Sequence, residues 1–128
     1  MQRDMDLIRE LLLRIEKDVD LQGVMYNFQF ENGKLRVDGY DDVEVYKHLV
    51  MLLESPFIEG QRFGSGEIAI KRLTWPGRDF LDSVRDDGIW AKTKQGALAA
   101  GGFSFDLLKD LAKGFIKKQI EERTGIQL

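Results

Sequence analysis

The segment LVMLLESPFIEGQRFGSGEIAIKRLTWPGRDFL, residues 49–81, decides the fold. It opens on the end of an apolar helical pattern, which Pro56 must stop because a proline nitrogen cannot donate a helical hydrogen bond. Two extended runs follow at 57–63 and 68–73, and the glycine-rich loop 64–67 between them indicates a reversal of the chain. The segment therefore predicts a helix that passes directly into a β-hairpin at 57–73.

The hairpin is predicted to pass the chain directly to another helix, over 75–86. Thr74 follows the last strand residue and suits a helix N-cap, while Pro76 falls in the first turn, where proline is tolerated. The helix before the hairpin is expected over 41–54. It begins at the Asp41-Asp42 pair, whose carboxylates suit the positive end of a helix dipole.

The chain before residue 41 changes its periodicity once. Residues 4–17 carry apolar side chains at helical spacing and predict the first helix. Residues 25–38 alternate instead, with Asn32-Gly33 between the two halves, and this pair is a strong hairpin signal. A two-residue turn there would pair Phe30 with Leu35 and Phe28 with Val37. We therefore expect an extra β-hairpin over 25–38.

The chain after residue 86 is predicted to be helical. One helical piece is expected over 89–98, and a longer helix runs from its N-cap Ser104 to a C-terminal cap at Gly125. The predicted core consists of the apolar residues that face inward on the helices and strands of the whole chain: Ile8, Leu11, Leu12, Ile15, Leu49, Leu53, Ile58, Ile70, Phe80 and Leu81.

Composition excludes several function classes. The 128 residues are 43% hydrophobic and 32% charged, which is typical of a soluble globular protein. Absence of cysteine excludes thiol catalysis and cysteine-based metal sites, and a single histidine excludes a multi-histidine metal cage. The longest apolar run, 49–53, is too short to span a membrane. The amino-terminal MQRDMDLIRELLL does not resemble a secretion signal, so we expect a cytoplasmic protein without cofactor.

Four segments resemble a bacterial, prophage-associated family of unknown function. They are RDMDLIRELLLRIE (3–16), GYDDVEVYKHLVMLL (39–53), KRLTWPGRDFLDSVRDDGIWAKTK (71–94) and GGFSFDLLKDLAKGFIKK (101–118). YjcQ-like winged-helix proteins are similar at a greater distance. The resemblance implies an α+β winged-helix-like domain over 1–86, with a helical extension over 87–128 packed on it or on a partner chain. It implies no enzymatic activity.

No group of side chains in the sequence forms a convincing catalytic or metal site. His48 lacks neighbouring metal ligands and is expected to be a partly exposed helix residue beside Glu44. None of the serines lies in a nucleophile elbow, and the glycines of the 64–67 loop fit a turn rather than a phosphate-binding loop. The acidic side chains Asp79, Asp82 and Asp86 share one helix face, where a salt-bridged surface is favoured over a metal site.

Aromatic stacking on nucleic-acid bases is likewise the weaker interpretation of the two tryptophans. Trp75 and Trp90 occupy amphipathic helical positions and are expected to pack in a core or an interface.

Two functions of different classes remain open. DNA binding would use the wing cations and the outward face of the 41–54 helix, with Arg62, Lys71, Arg72, Arg78 and Lys47 as candidate contacts. Few cations and several acids on that helix favour the other function, a protein-interaction or regulatory adaptor. Its partner would be another protein or a second copy of the chain, the latter held through Phe115, Ile116 and Ile120 of the last helix.

Overall fold

A computed structural model describes residues 2–22, 26–28, 36–99, 101 and 104–126. The protein is α+β, as expected. The elements are α1 (Met5–Gln22), β1 (Tyr26–Phe28), α2 (Asp42–Leu53), β2 (Ile58–Arg62), β3 (Ile68–Leu73), α3 (Trp75–Val84), α4 (Asp87–Ala99) and α5 (Phe105–Thr124). The chain divides into two compact units, Met1–Arg78 and Asp79–Leu128, whereas the sequence suggested a division after residue 86.

The sheet of the first unit is antiparallel, with the strand order β1-β3-β2. Strands β2 and β3 form the predicted hairpin, and the register shifts by one residue between Glu59 and Gly60. Strand β1 pairs with β3 on its other edge, with Tyr26 opposite Ile70. Strand β3 is therefore the central strand of the sheet, and it is buried at Ile68, Ala69, Ile70 and Leu73.

Only part of the predicted 25–38 hairpin lies within the described residues. Tyr26–Phe28 is a strand, but its partner in the structure is β3. The Asn32-Gly33 turn, Phe30 and Leu35 lie outside the described residues. Val37 is described and belongs to no strand, so the expected pairing of Phe28 with Val37 is wrong. The Asn-Gly signal is local, whereas the hydrogen-bonding partner of β1 is β3, a strand much further along the chain.

The core of the first unit is built from the predicted helical stripes. Nine of the ten predicted core residues in the whole chain are buried, and in this unit they include Leu11, Leu12 and Leu49. Leu53 is the exception, since it is half-buried near the end of α2. Leu52 is buried in its place, 1% exposed, because the last turn of α2 presents position 52 to the interior.

The junction between the hairpin and α3 is held by local polar contacts. The Thr74 hydroxyl donates to the Pro56 carbonyl at 2.5 Å and accepts from the Gly77 N–H at 3.2 Å. A Cβ atom at Gly77 would collide with the carbonyl group of Phe57. A glycine is therefore required where the first turn of α3 crosses the chain that enters β2.

The second unit pairs α4 with α5. Ser104 accepts a hydrogen bond from the Leu107 N–H as the predicted N-cap, and Gly125 adopts the left-handed conformation with φ 72° as the predicted C-terminal cap. Phe80 packs edge-on against Phe105, with ring centroids 5.3 Å apart. Leu108 and Ala112 of α5 are fully buried.

Candidate interaction surface

The loop of the hairpin is tied to α2 through one tyrosine. The Tyr46 hydroxyl donates to the Gly66 carbonyl at 2.7 Å and accepts from Arg62 Nε at 3.1 Å. The Arg62 guanidinium also lies 5.6 Å from the centroid of the Tyr46 ring, a cation–π distance. These contacts set the position of the loop relative to α2 before any partner arrives.

A groove of about 520 Å³ runs between α2 and this loop. It is lined by Val43, Tyr46, Lys47 and Val50 from α2, by Arg62 from β2 and by the loop residues 65–66. Val43 is 43% exposed. Phe63, in the adjoining loop, is 42% exposed. The surface that surrounds the groove is therefore apolar, with positive charge at its edge.

The five candidate DNA contacts occupy different environments. Lys47 and Arg62 lie together at the groove. Lys71 and Arg72 instead pair with Glu59 across the hairpin, at 3.5 Å and 2.7 Å. The hydrogen bond from Arg72, with the charge of Lys71, holds the pKa of Glu59 below its ordinary value. Arg78 is half-buried in α3. The structure tests none of these residues for DNA binding, which stays a prediction.

His48 is buried rather than partly exposed, with 1% of its surface accessible. Its Nε2 accepts from the Asp4 N–H at 2.9 Å, and its Nδ1–H donates to the Glu44 backbone carbonyl at 2.8 Å. The expected pairing with the Glu44 side chain is therefore wrong. A partner 44 residues away made the interior position favourable, because a buried imidazole needs both nitrogens satisfied.

Asp4 connects this histidine to Tyr40. Its Oδ2 accepts from the Tyr40 hydroxyl at 2.9 Å, while its Oδ1 accepts from the Leu7 N–H at 3.2 Å in the first turn of α1. Burial and the hydrogen bond to Asp4 raise the pKa of Tyr40 to about 12. Every ring nitrogen and carboxylate oxygen of this cluster is engaged, so the arrangement stabilises the fold and offers no open position for chemistry.

The acidic positions on α3 are salt-bridged or used for capping. Asp79 lies 2.6 Å from Lys109 Nζ, and Asp82 lies 2.8 Å from Arg85. Asp86 accepts from the Ile89 N–H and so caps α4. Across the described ranges, no cluster of three metal-ligating side chains occurs. The hydrogen bond from Lys109 lowers the pKa of Asp79, and the same contact raises the pKa of Lys109.

The two tryptophans have opposite environments. Trp90 is buried, as expected, with the Lys94 ammonium 5.7 Å from its ring centroid. Trp75 is 83% exposed, so the expectation that it packs in a core is wrong. Trp75 is the first residue of α3, and the buried positions of this helix, such as Gly77 and Phe80, come later, which explains the difference.

The predicted self-association residues lie on the second half of α5. Phe115 and Ile116 are half-buried, and Ile120 is 40% exposed. Nothing in the described chain tests a contact with a second copy, so this interface stays a prediction.

Sequence reasoning missed the groove itself. Tyr46 and Val50 belong to the broad apolar face of α2, yet both are only half-buried and line the groove. The signal was present in the width of that apolar face: adding Val43 extends it beyond the stripe that one packed side of a helix needs. Residues that exceed the packing stripe are candidates for a surface groove.

Comparisons with known proteins give a family and no activity. A family model described as "Hypothetical protein (DUF2513)" matches residues 2–104. A Haemophilus influenzae protein described as "Uncharacterized protein" is 28% identical over 124 residues, which cover 94% of this chain and 99% of the relative. No solved structure matches. Within the described ranges, no helix is both long and apolar enough to cross a membrane.

Proposed function

The chain belongs to the DUF2513 family, and from this premise we propose that its first unit is a winged-helix-like module that docks another protein. The proposed module needs no catalytic group. Its docking face consists of the outward side of α2 and the adjoining loop of the hairpin. A regulatory adaptor acts through such a face, since recognition requires only exposed complementary surface.

The winged-helix part of the proposal is supported by the order and pairing of the elements. In the first unit α1 and α2 precede an antiparallel hairpin, and β1 completes the sheet in the order β1-β3-β2. The chain then enters α3 at once through Thr74. In a winged helix, the helix before the hairpin and the hairpin itself form the recognition face.

One observation carries the preference for a protein partner. The face that would meet DNA is apolar at the groove, and two of its cations, Lys71 and Arg72, already share Glu59. Duplex binding draws most of its affinity from lysine and arginine contacts with successive phosphates. Acidic residues Asp42 and Glu44, in the first turn of α2, would meet the phosphates with repulsion.

DNA binding is the second candidate, because two cations, Lys47 and Arg62, line the groove at this face. An anisotropy titration with a labelled random-sequence duplex at about 50 mM and about 200 mM salt separates the two functions. We expect only weak binding at the lower salt and none at the higher. If the wing reads DNA, the triple change R62A/K71A/R72A instead lowers affinity for all sequences and reduces the salt slope by about three.

Protein docking is tested by a photo-crosslinking residue placed at Val43 in cells that produce the protein. We expect a discrete protein adduct from position 43, and loss of that adduct when Lys47→Glu is added. The same crosslinker at Lys118, an exposed position of α5, is the matched control. An adduct with nucleic acid at position 43, or equal adducts from both positions, contradicts the docking function.

A further inference from the structure

We propose that the groove between α2 and the hairpin loop binds a partner segment that combines an apolar side chain with neighbouring carboxylates. This inference rests on the docking function proposed above and names the chemistry of its partner. The occupant is a short acidic and apolar stretch of another protein.

The apolar side chains that line the groove favour an apolar side chain in the bound segment. A volume of about 520 Å³ between Val43, Tyr46 and Val50 accommodates one or two large aliphatic or aromatic side chains. The exposure of Val43 leaves apolar surface in water, and covering that surface stabilises a complex in proportion to its area. Because Tyr46 already holds the loop through Gly66, the groove is formed in advance and little ordering opposes binding.

The two charged side chains that line the groove, Lys47 and Arg62, favour carboxylates in the bound segment. Lys47 is exposed and makes no hydrogen bond or ion pair with any other side chain in the described part of the chain. Arg62 uses Nε and its face for Tyr46, while its terminal guanidinium nitrogens make no further bond to described residues. A carboxylate matches those terminal nitrogens in geometry as well as in charge. Lys71 and Arg72, by contrast, both pair with the carboxylate of Glu59, whereas no carboxylate of the described residues pairs with Lys47 or Arg62.

A carboxylate-bearing peptide fits this charge pattern better than a nucleic acid does. The positive charge of the groove is confined to two side chains, and Asp42 and Glu44 precede one of them, Lys47, on α2. A peptide can place single carboxylates on Lys47 and Arg62 and an apolar group between them. A phosphate backbone would instead bring repeated charge onto the acidic start of α2.

The experiment is a parallel selection from a display library of random peptides about a dozen residues long, a length that spans an ordinary peptide groove. The full chain and its double variant K47E/R62E are panned side by side. We expect the unaltered chain to enrich peptides with Asp or Glu next to Leu, Ile, Val or Phe. The charge-reversed chain should enrich Lys or Arg at the same places, a swap that a misfolded variant cannot produce.

Affinities of the selected peptides complete the test. In fluorescence anisotropy, K47E/R62E should weaken binding of the acidic peptides about tenfold or more, because two attractive pairs at an interface rim become repulsive. Val43→Gln should also weaken binding, whereas Lys118→Glu, an exposed charge that does not line the groove, should leave it within about twofold.

Three results overturn the inference, and they are distinguishable. Enrichment of neutral or basic peptides by the unaltered chain, with loss on Val43→Gln, contradicts the acidic chemistry and leaves protein docking standing. Equal affinity of K47E/R62E and the unaltered chain for acidic peptides places their binding elsewhere. No enrichment from the library, together with duplex binding that depends on Lys47 and Arg62, contradicts both the inference and the docking function.

Discussion

The burial of single polar residues in this protein depends on partners far away in the sequence more than on the helix that carries them. His48 is the clearest case, since it connects the start of α1 with the middle of α2 through two hydrogen bonds. Its ring receives the Asp4 N–H, a group at a helix N-terminus that has no partner within its own helix. The His48 side chain thus supplies an acceptor for a backbone N–H that its own helix leaves without one.

Replacing His48 with leucine should lower the free energy of unfolding by about 1–3 kcal/mol, because the part-buried Asp4 N–H loses its acceptor and the imidazole's hydrogen bond to the Glu44 carbonyl is lost. Chemical denaturation at neutral pH measures the change. Glu44→Gln is the matched control and should stay within about 0.5 kcal/mol, as a surface change does. It keeps the backbone carbonyl that His48 uses. A larger effect of Glu44→Gln than of His48→Leu would contradict the assigned contacts.

Tyr40 predicts a loss of stability at high pH. Its pKa is raised to about 12 in the folded protein by burial and by the hydrogen bond to Asp4, with the nearby charges of Asp4, Asp6 and Glu44 adding to the effect. A raised pKa means that the folded state holds the proton more tightly. Its contribution is complete below the ordinary value of 10.0 and is lost as the pH rises towards about 12. Denaturation of Tyr40→Phe across this range should show a smaller decline than the unaltered protein, and an equal decline would refute the assignment.

One connection between elements in this chain is very short and needs particular residues. The passage from β3 to α3 is a single residue, Thr74, whose hydroxyl bonds to both sides of the junction. Such a connection leaves no slack, so the first turn of α3 must cross the backbone at Phe57 closely. The absence of a side chain at Gly77 is what permits this close packing.

Gly77→Ala should be strongly destabilising, by about 3 kcal/mol or more, at the upper end of the range for overpacked positions. The added methyl group would meet the Phe57 carbonyl, a backbone atom that cannot rotate away. Gly64→Ala is the matched control, because a Cβ at Gly64 meets nothing within 4 Å. Thermal unfolding of both variants gives the comparison. Similar melting temperatures for the two variants would show that the junction relaxes easily.

The contact of α3 with α5 in the second unit predicts a pH-dependent contribution. The hydrogen bond from Lys109 lowers the pKa of Asp79, so the contribution exists above the ordinary Asp value of 3.8 and is lost as the pH falls through the lowered one. Asp79→Asn should therefore reduce the melting temperature slightly at neutral pH and not at strongly acidic pH. Asp110→Asn, also an exposed acid, serves as the control. A difference between D79N and the unaltered protein that persists in acid would contradict the ion-pair explanation.

At the scale of the whole molecule, apolar surface is accessible on both units of the described chain. Such surface lies in the groove beside α2 and on the second half of α5, where Phe115, Ile116 and Ile120 retain accessible surface. Helix α5 has 20 residues and so extends about 30 Å. Exposed apolar surface of this kind is typical of interfaces.

We expect self-association through α5, since a two-fold pairing of identical helices is the commonest way to cover such a stripe. Sedimentation equilibrium at ~100 μM, well above the micromolar range of ordinary weak dimers, measures it. F115K/I116K should be monomeric, while Asp110→Lys reverses an exposed charge on the other side of the same helix and should still associate. A monomeric unaltered chain at that concentration would end the prediction.

The sequence by itself determined which segments form the helices and where the 57–73 hairpin lies, although α1 continues to Gln22 and α3 ends at Val84 rather than at residues 17 and 86. Periodicity located the helices and the hairpin, and the caps at Asp41, Ser104 and Gly125 stand where their residue types predicted. These features are local: a cap bonds to backbone groups within one turn, and a stripe repeats along one helix. For that reason they could be predicted without knowing any distant contact.

Only the tertiary structure decided which polar and aromatic residues are buried and where a partner could bind. His48 became interior because Asp4 meets it, and Trp75 became exposed because α3 packs through later residues. The groove exists because Tyr46 of α2 reaches Gly66 of the hairpin loop, 20 residues away. Burial and concavity depend on surfaces that come together from distant parts of the chain, so residue type and spacing alone could not determine them.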